Sequence, residues 1–229
     1  MVIENNVIER LESLIKTDRS VEFVTCTANA EQIVGFCAKV SNPSNQLSDS
    51  TKLLAYCIKH EHWSVFETAS MTVQIKTSRA IGAQILRHRS FTFQEFSQRY
   101  ALASNMVKYP ARRQDNKNRQ NSIDDMSQED KDWFDEQQDE IWNRSKMAYD
   151  EAIARGVAKE QARFLLPLNT ETTIYMSGNV RNWLHYIQLR TKPGTQLEHL
   201  QIAEECKTVF SEHFPDIAKA MEWIDEKVA

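Results

Sequence analysis

Glycine is the residue that most narrows the folds open to this chain. There are five in 229 residues, at positions 35, 82, 156, 178 and 194, and no two lie close enough to form G-x-G-x-x-G or a P-loop. Both motifs need glycine so that backbone amides can approach a phosphate. A Rossmann-type dinucleotide domain therefore has no support in this sequence. A nucleotide would have to be held by side chains, and arginine suits that task because its planar fork pairs two phosphate oxygens at once.

Residues 87–100, RHRSFTFQEFSQRY, supply such arginines. Arg87, Arg89 and Arg99 are grouped with His88, Glu95 and Ser97, and Phe91, Phe93 and Phe96 are interleaved with them. A solvated charge run needs no aromatic area of that kind. The mixture suits a pocket that grips an anion and covers something flat and aromatic. A sheet-edge strand with ordinary surface charges is the competing reading. If the second half is extended, side-chain parity puts Phe91, Phe93, Glu95, Ser97 and Arg99 on one wall, with Thr92, Gln94, Phe96, Gln98 and Tyr100 on the other. If the first half ends a helix, Gln84, Arg87 and His88 share a face at i, i+3, i+4. Arg87 and Arg89 then point differently and could serve two ligands or two subunits.

The net charge is −4, so the positive charge around residues 87–99 is local. That favours a small anionic ligand over nucleic acid. No apolar run approaches the ~20 residues that span a bilayer, and the N-terminus lacks the pattern of a signal peptide. A cytoplasmic protein with no membrane partner is expected. The four cysteines are widely spaced without C-x-x-C and read as buried small apolar residues in a reducing compartment. His60 and His62 do not share a helical face, and no carboxylate or cysteine array completes a metal set. Ser97 with His88 invites a nucleophile reading, but the glycines of a hydrolase elbow are absent. A serine among arginines is more readily a hydrogen-bond donor to an anion.

Periodicity predicts helices over 2–17 (stripe Ile3, Val7, Leu11, Ile15), 29–40, 50–61 and 80–86. It predicts strands over 21–26, 71–76 and 170–177. Residues 111–132 are strongly polar and read as a loop, either over a site or simply solvated. A long helix is expected over 130–155 with Phe134, Ile141, Ala148 and Ala152 on one stripe. A helical piece, EQARFLLP, ends at Pro167. Helices over 179–190, 195–213 and 215–228 close the chain, and Trp183 and Tyr186 are expected in the core. Arg163 and Arg190 lie on otherwise apolar helical segments, where an arginine either snorkels or answers an anion.

Taken together, Arg87-His88-Arg89 followed after seven residues by Ser97, the segment HWSVFE before it, ARFLLPLNTETTIYMSGNVRNWLHYIQLR after it, and Gln196 to His199 resemble the flavin-dependent thymidylate synthases. The likeness covers about residues 21–215. Thr68 and the Lys192-Pro193-Gly194 stretch depart from the commoner pattern, as does His185, an asparagine in some members.

The resemblance implies an α+β fold with a central, mostly antiparallel sheet flanked by helices, one domain over 21–229, and an N-terminal helical extension over 1–20. It implies reductive methylation of dUMP to dTMP, with methylenetetrahydrofolate as carbon donor and FAD as hydride carrier reduced by NADPH. It implies a homotetramer whose flavin pocket is shared between subunits. Carried over by position, Gln84, Arg87, Glu95, Ser97, Arg99, Arg163 and Arg190 match the dUMP positions. His62, Ser64, Arg87, His88, Arg89, Glu95, Asn179 and His185 match the flavin positions. Arg190 is the expected catalytic residue, placed to stabilise negative charge on the uracil ring. The alternative from another class is a non-catalytic nucleotide-binding module that keeps the anion pocket.

Overall fold

A computed structural model describes residues 2–224, with side chains from residue 7 onward. Helix α1 (Val2–Lys16) leads into strand β1 (Val21–Cys26), helices α2 (Ala30–Ala38) and α3 (Thr51–Lys59), and strand β2 (Ser70–Ser78). Helix α4 (Arg79–Ile85), strand β3 (Thr92–Glu95) and a short ladder of β4 (Arg113–Gln114) with β5 (Ser122–Ile123) follow. Helices α5 (Gln128–Ala154) and α6 (Lys159–Ala162), strand β6 (Glu171–Asn179), and helices α7 (Val180–Arg190), α8 (Leu197–His213) and α9 (Pro215–Ala220) complete the described chain. None of the helices described is long and apolar enough to cross a membrane.

The main sheet has the order β1-β2-β6-β3, and every neighbouring pair is antiparallel. This is the expected α+β architecture, with the sheet antiparallel throughout. Val73 lies opposite Met176 and Ile75 opposite Ile174, and all four are fully buried. Helices α4, α7 and α8 cover this apolar side through residues such as Ile81, Ile85, Trp183 and Phe210. Trp183 satisfies its indole N–H by donating to the Met71 carbonyl at 2.9 Å, as a buried tryptophan must. Elsewhere on β2 the polar Gln74 is buried, donating to the Leu14 carbonyl of α1 and accepting from the Tyr175 hydroxyl, each at 2.9 Å.

The two central strands each run straight into a helix. Ser78 ends β2 and caps α4, its hydroxyl accepting from the Ile81 N–H at 3.3 Å. Asn179 ends β6 and caps α7, its side chain accepting from the Asn182 N–H at 2.9 Å. Such caps satisfy amides that the first helical turn leaves without partners. Ser70 lies opposite Asn179, and Ser78 opposite Glu171. The helices therefore start at opposite ends of the sheet, and both pack on α8.

Several expectations are corrected. The motif is extended only over Thr92–Glu95, so the five-residue wall from Phe91 to Arg99 does not form. The Phe96 N–H still bonds to the Thr173 carbonyl at 2.8 Å, and the chain then turns at Ser97, whose carbonyl accepts from the amides of Tyr100 and Ala101. On α5 the anticipated stripe faces outward, with Phe134 and Ile141 exposed. The buried positions are Gln138 and Tyr149, rotated by roughly 50° around the helix. Gln138 is drawn in because its amide brackets the Tyr109 backbone, accepting from the N–H at 3.0 Å and donating to the carbonyl at 2.9 Å.

On α1, Val7, Leu11 and Ile15 are exposed while Leu14 is buried; the Ile3 side chain lies outside the described residues. Arg163 sits on a 3-10 turn rather than an α-helix. Cys57 and Cys206 are buried, but Cys26 and Cys37 only partly. The helix expected over 215–228 is shorter: α9 ends at Ala220, residues 221–224 are not helical, and residues 225–229 lie outside the described residues.

Phe91 keeps the motif on the scaffold. It is 7% exposed and meets Trp183 edge-on at 4.9 Å. A Cβ added at Gly178 would come within 2.6 Å of the Phe91 ring, so only glycine lets the ring lie there. Gly178→Ala should therefore cost about 1–3 kcal/mol and lower the melting temperature by about 2–10 °C. Thermal unfolding followed by circular dichroism checks this; an unchanged midpoint would show that the ring moves aside freely.

Candidate active site

Antiparallel pairing of β2 with β6 brings the far ends of α4 and α7 together. The α4 helix ends at Ile85, two turn residues follow, and His88 comes next. Arg190 is the last residue of α7, and its Nε donates to His88 Nε2 at 2.9 Å. The imidazole must therefore be neutral, with its own proton on Nδ1. Burial, then the Arg190 charge and then His185, lower the His88 pKa to about 4. The contact uses one of the five guanidinium N–H groups, and among the described residues the paired Nη groups have no hydrogen-bond partner. Beneath them Tyr186 and His199 are fully buried, and the Tyr186 hydroxyl meets His199 Nε2 at 3.2 Å. His199 is lowered to about 3 by burial, then by Arg190 and His88. Arg190 is thus a cation set among neutral rings.

A second cluster forms around Glu160. Its carboxylate pairs with Arg99 at 3.2 Å, and its carbonyl accepts from Arg163 Nε at 3.2 Å. The Arg99 pair is exposed on both sides, so it is weak and readily exchanged for another anion. Ser97 begins the same turn, its hydroxyl accepting from the Arg99 N–H at 3.4 Å. Among the described residues no hydrogen bond joins Ser97 to a histidine, so no nucleophile and base are paired here.

Glu95 is half-buried. Its Oε1 accepts from Arg79 at 2.9 Å and from the Thr172 hydroxyl at 3.0 Å, which leaves Oε2 as an open acceptor. Gln84, also half-buried, donates through Nε2 to Gln196 Oε1 at 2.6 Å. Arg87 and Arg89 are exposed and make no salt bridge among the described residues.

The remaining candidates lie around an open cleft of about 570 Å³ lined by Glu61, Trp63, Ser90, Arg181, Asn182, Leu184, His185 and Gln188. His62 precedes and Ser64 lies on a short 3-10 segment, Trp63–Glu67, and both are exposed. Asn179 is occupied as the α7 cap, not as a residue within the helix. Asn182 ties α7 to the motif by donating to the Ser90 carbonyl at 2.6 Å. The structure therefore brings together His88 with Arg190, and Ser97 and Arg99 with Arg163. His62, Ser64 and His185 lie instead on the solvent-exposed side, with His185 near enough to His88 for its charge to act on it.

Sequence reasoning missed Arg79 and Thr172, which hold Glu95, and Asn182, Tyr186 and His199, which hold the Arg190 neighbourhood. Arg79 carries no local signal; it simply follows the β2 strand. Tyr186 is core, as its spacing predicts, but apolar periodicity carries no signal for the His199 partner of its hydroxyl.

Residues 22–216 match the Thy1 family, described as thymidylate synthase complementing protein. A probable flavin-dependent thymidylate synthase of Paramecium bursaria Chlorella virus 1 is 54% identical over 198 residues, covering 85% of this chain and 92% of the relative. The flavin-dependent thymidylate synthase of Synechocystis sp. is 51% identical over 193 residues, covering 84% and 90%. Among solved structures, the UMP/dUMP methylase PolB from Streptomyces cacaoi bound with 5-Br UMP aligns with a TM-score of 0.77 at 23% identity, over 88% of this chain and 92% of that one. At that identity the structural likeness is one of fold.

The neutral His88 gives a direct check. Its folded pKa lies below the ordinary 6.5. The stabilisation from keeping it neutral is therefore fully present above about pH 6.5 and is lost as pH falls toward about 4. The His88 ring signal in an NMR titration should show a midpoint well below 6.5, and Arg190→Gln should raise it. A midpoint at or above 6.5 in the unsubstituted protein would mean that the Arg190 contact does not form.

Proposed function

We propose a reaction from one premise: the chain belongs to the flavin-dependent thymidylate synthase family of methyltransferase enzymes. The reaction is reductive methylation of dUMP to dTMP. Methylenetetrahydrofolate gives the carbon, and NADPH supplies reducing equivalents through FAD. The observation that carries this reading is Arg190 bonded through Nε to a neutral His88, with its Nη groups open to a nucleotide.

The residues fit FAD. Arg87 and Arg89 are exposed cations without an ion pair among the described residues, as a pyrophosphate requires in a chain with no glycine fingerprint. The open cleft beside Ser90, Asn182 and His185 adds hydroxyl, amide and imidazole groups. Bound FAD carries the hydride, while the protein contributes position and field. In this reading His62, Ser64, Arg87, His88, Arg89, Glu95, Asn179 and His185 hold the flavin. His88 offers it Nδ1–H, because Nε2 is occupied.

Gln84, Arg87, Glu95, Ser97, Arg99, Arg163 and Arg190 hold dUMP. Arg99 and Arg163 converge on Glu160, and a nucleotide phosphate would compete for them with Ser97 as a hydroxyl donor. Glu95 presents one oxygen to a substrate hydroxyl, its charge balanced by Arg79. Arg190 is the catalytic residue. Its guanidinium stabilises negative charge that develops on the uracil ring as hydride adds to C6 or carbon to C5, and the neutral rings beneath it keep its field unopposed.

Arg87 and Glu95 fall in both sets, which supports a homotetramer whose sites draw on several subunits. The exposed Trp133, Ile141 and Met147 of α5 supply apolar area of the kind that protein interfaces cover. Residues 1–20, which precede the matched span, are proposed as an extension of the shared domain.

Purified protein should show a flavin spectrum or acquire one with added FAD, oxidise NADPH, and form dTMP from dUMP and methylenetetrahydrofolate. Arg190→Ala should lower kcat/KM by about 10²–10³-fold, while Ser97→Ala keeps measurable activity. Colourless protein that takes up no FAD and forms no dTMP would end this reading. Binding of dUMP without flavin would favour a non-catalytic module. A folded Ser97→Ala protein that binds dUMP yet is inert would restore the nucleophile.

A further inference from the structure

We infer that Glu198, clamped by Arg112, acts through Gln196 as a positioning residue that fixes which end of the Gln84 amide meets the nucleotide. This rests on the reading of Gln84 as a dUMP contact. Arg112 and Glu198 form a buried ion pair, their side chains 11% and 7% exposed. Glu198 Oε1 accepts from Arg112 Nη2 at 2.5 Å, and its Oε2 accepts from Gln196 Nε2 at 2.9 Å. Gln196 Oε1 in turn accepts from Gln84 Nε2 at 2.6 Å. The chain of contacts is continuous from the ion pair to the end of α4.

Its polarity follows from chemistry. An ionised carboxylate accepts and never donates. Burial pushes the Glu198 pKa up, but bonds from its own backbone N–H, from Gln196 and from Arg112 outweigh burial and hold it below the usual carboxylate range. Gln196 must therefore turn its NH₂ toward Glu198 and its oxygen toward Gln84. Gln84 must answer with its own NH₂, and its Oε1 is left as the outward group. A free glutamine amide turns over at little cost and shows a ligand either end; this one is held as an acceptor.

It selects a hydrogen-bond donor on the nucleotide, either a sugar hydroxyl or the imide N–H of uracil. Arg112 Nε also donates to Ser122 at 2.9 Å, so the polar segment after residue 111 anchors the far end. Buried ion pairs often add little stability over an apolar replacement, and fixing a unique arrangement is one reason to keep them.

Gln196 is exposed, so Gln196→Met removes the relay with little risk to folding. KM for dUMP should rise about three- to tenfold, the worth of one oriented hydrogen bond, with kcat changing less than about twofold and the flavin spectrum unaltered. The double variant Gln84→Met/Gln196→Met should be no worse than Gln84→Met alone, since both break one path. The rise should vanish for the analogue lacking the matching donor: 2′,3′-dideoxyuridine monophosphate for a sugar hydroxyl, N3-methyl-dUMP for the imide. Glu198→Gln should reproduce the rise where it folds; where it does not, Gln196→Met decides.

A wild-type KM in Gln196→Met, additive effects in the double variant, or an equal rise with dUMP and both analogues would overturn the relay. Calorimetric Kd values separate this from the reaction itself. Wild-type protein that binds dUMP but makes no dTMP overturns the reaction, and the same comparisons made on Kd still decide the relay. Wild-type protein that binds no dUMP overturns both.

Discussion

The bond from Arg190 to His88 is the contact on which the candidate site depends. It places a cation at the last turn of a helix, where the carbonyl ends favour positive charge, against an imidazole that burial keeps unprotonated. Protonation of His88 would remove the acceptor and set two like charges side by side. The contact exists because β2 and β6 pair antiparallel along their full length and each passes directly into a helix. Ser78 and Asn179 launch those helices from opposite ends of the sheet, and residues distant in sequence meet where the helices finish. An inward shift of either helix start would misplace both side chains together.

Around that contact, residues outside the arginine motif do much of the holding. Arg79 and Thr172 fix Glu95, Asn182 fixes the turn at Ser90, and Trp183 supports Phe91. Arg87 and Arg89 are thereby left without protein partners among the described residues. Unpartnered guanidinium groups are free to turn toward an anion, and their planar forks let a site without a glycine turn bind phosphate groups by side chains alone, at the cost of the rotamer freedom they lose on binding. Arg99 differs: it rests on Glu160 in an exposed pair and has to change partner on binding.

Strands β1, β2 and β6, helix α7 apart from its capping Asn179, and the core placement of Trp183 and Tyr186 were legible because local periodicity and apolar content determine them. The end of β3 was not. Alternation from Phe91 to Arg99 continues in the text, but the chain turns where its last bond to β6 is made, at Phe96. The stripe on α5 was real as a pattern and misleading as to burial, since Gln138 follows its backbone partners at Tyr109. Arg87 and Arg89 were visible as cations, whereas the arginine partners of Glu95 and Glu198 lie 16 and 86 residues away. No local pattern announces such pairs; they are products of the tertiary fold. The exposed apolar residues on α1 and α5 mark where a single sequence says what is apolar but not what covers it.

The most direct measurement is an experimental structure of the protein with dUMP and FAD bound. The account predicts one shared cleft in which Arg190 Nη groups face the uracil ring while Nε stays on His88. It also predicts phosphate groups gripped by Arg87, Arg89, Arg99 and Arg163 drawn from more than one protomer. Nucleotide and flavin seated away from these guanidinia, with Arg190 directed to bulk water, would contradict it.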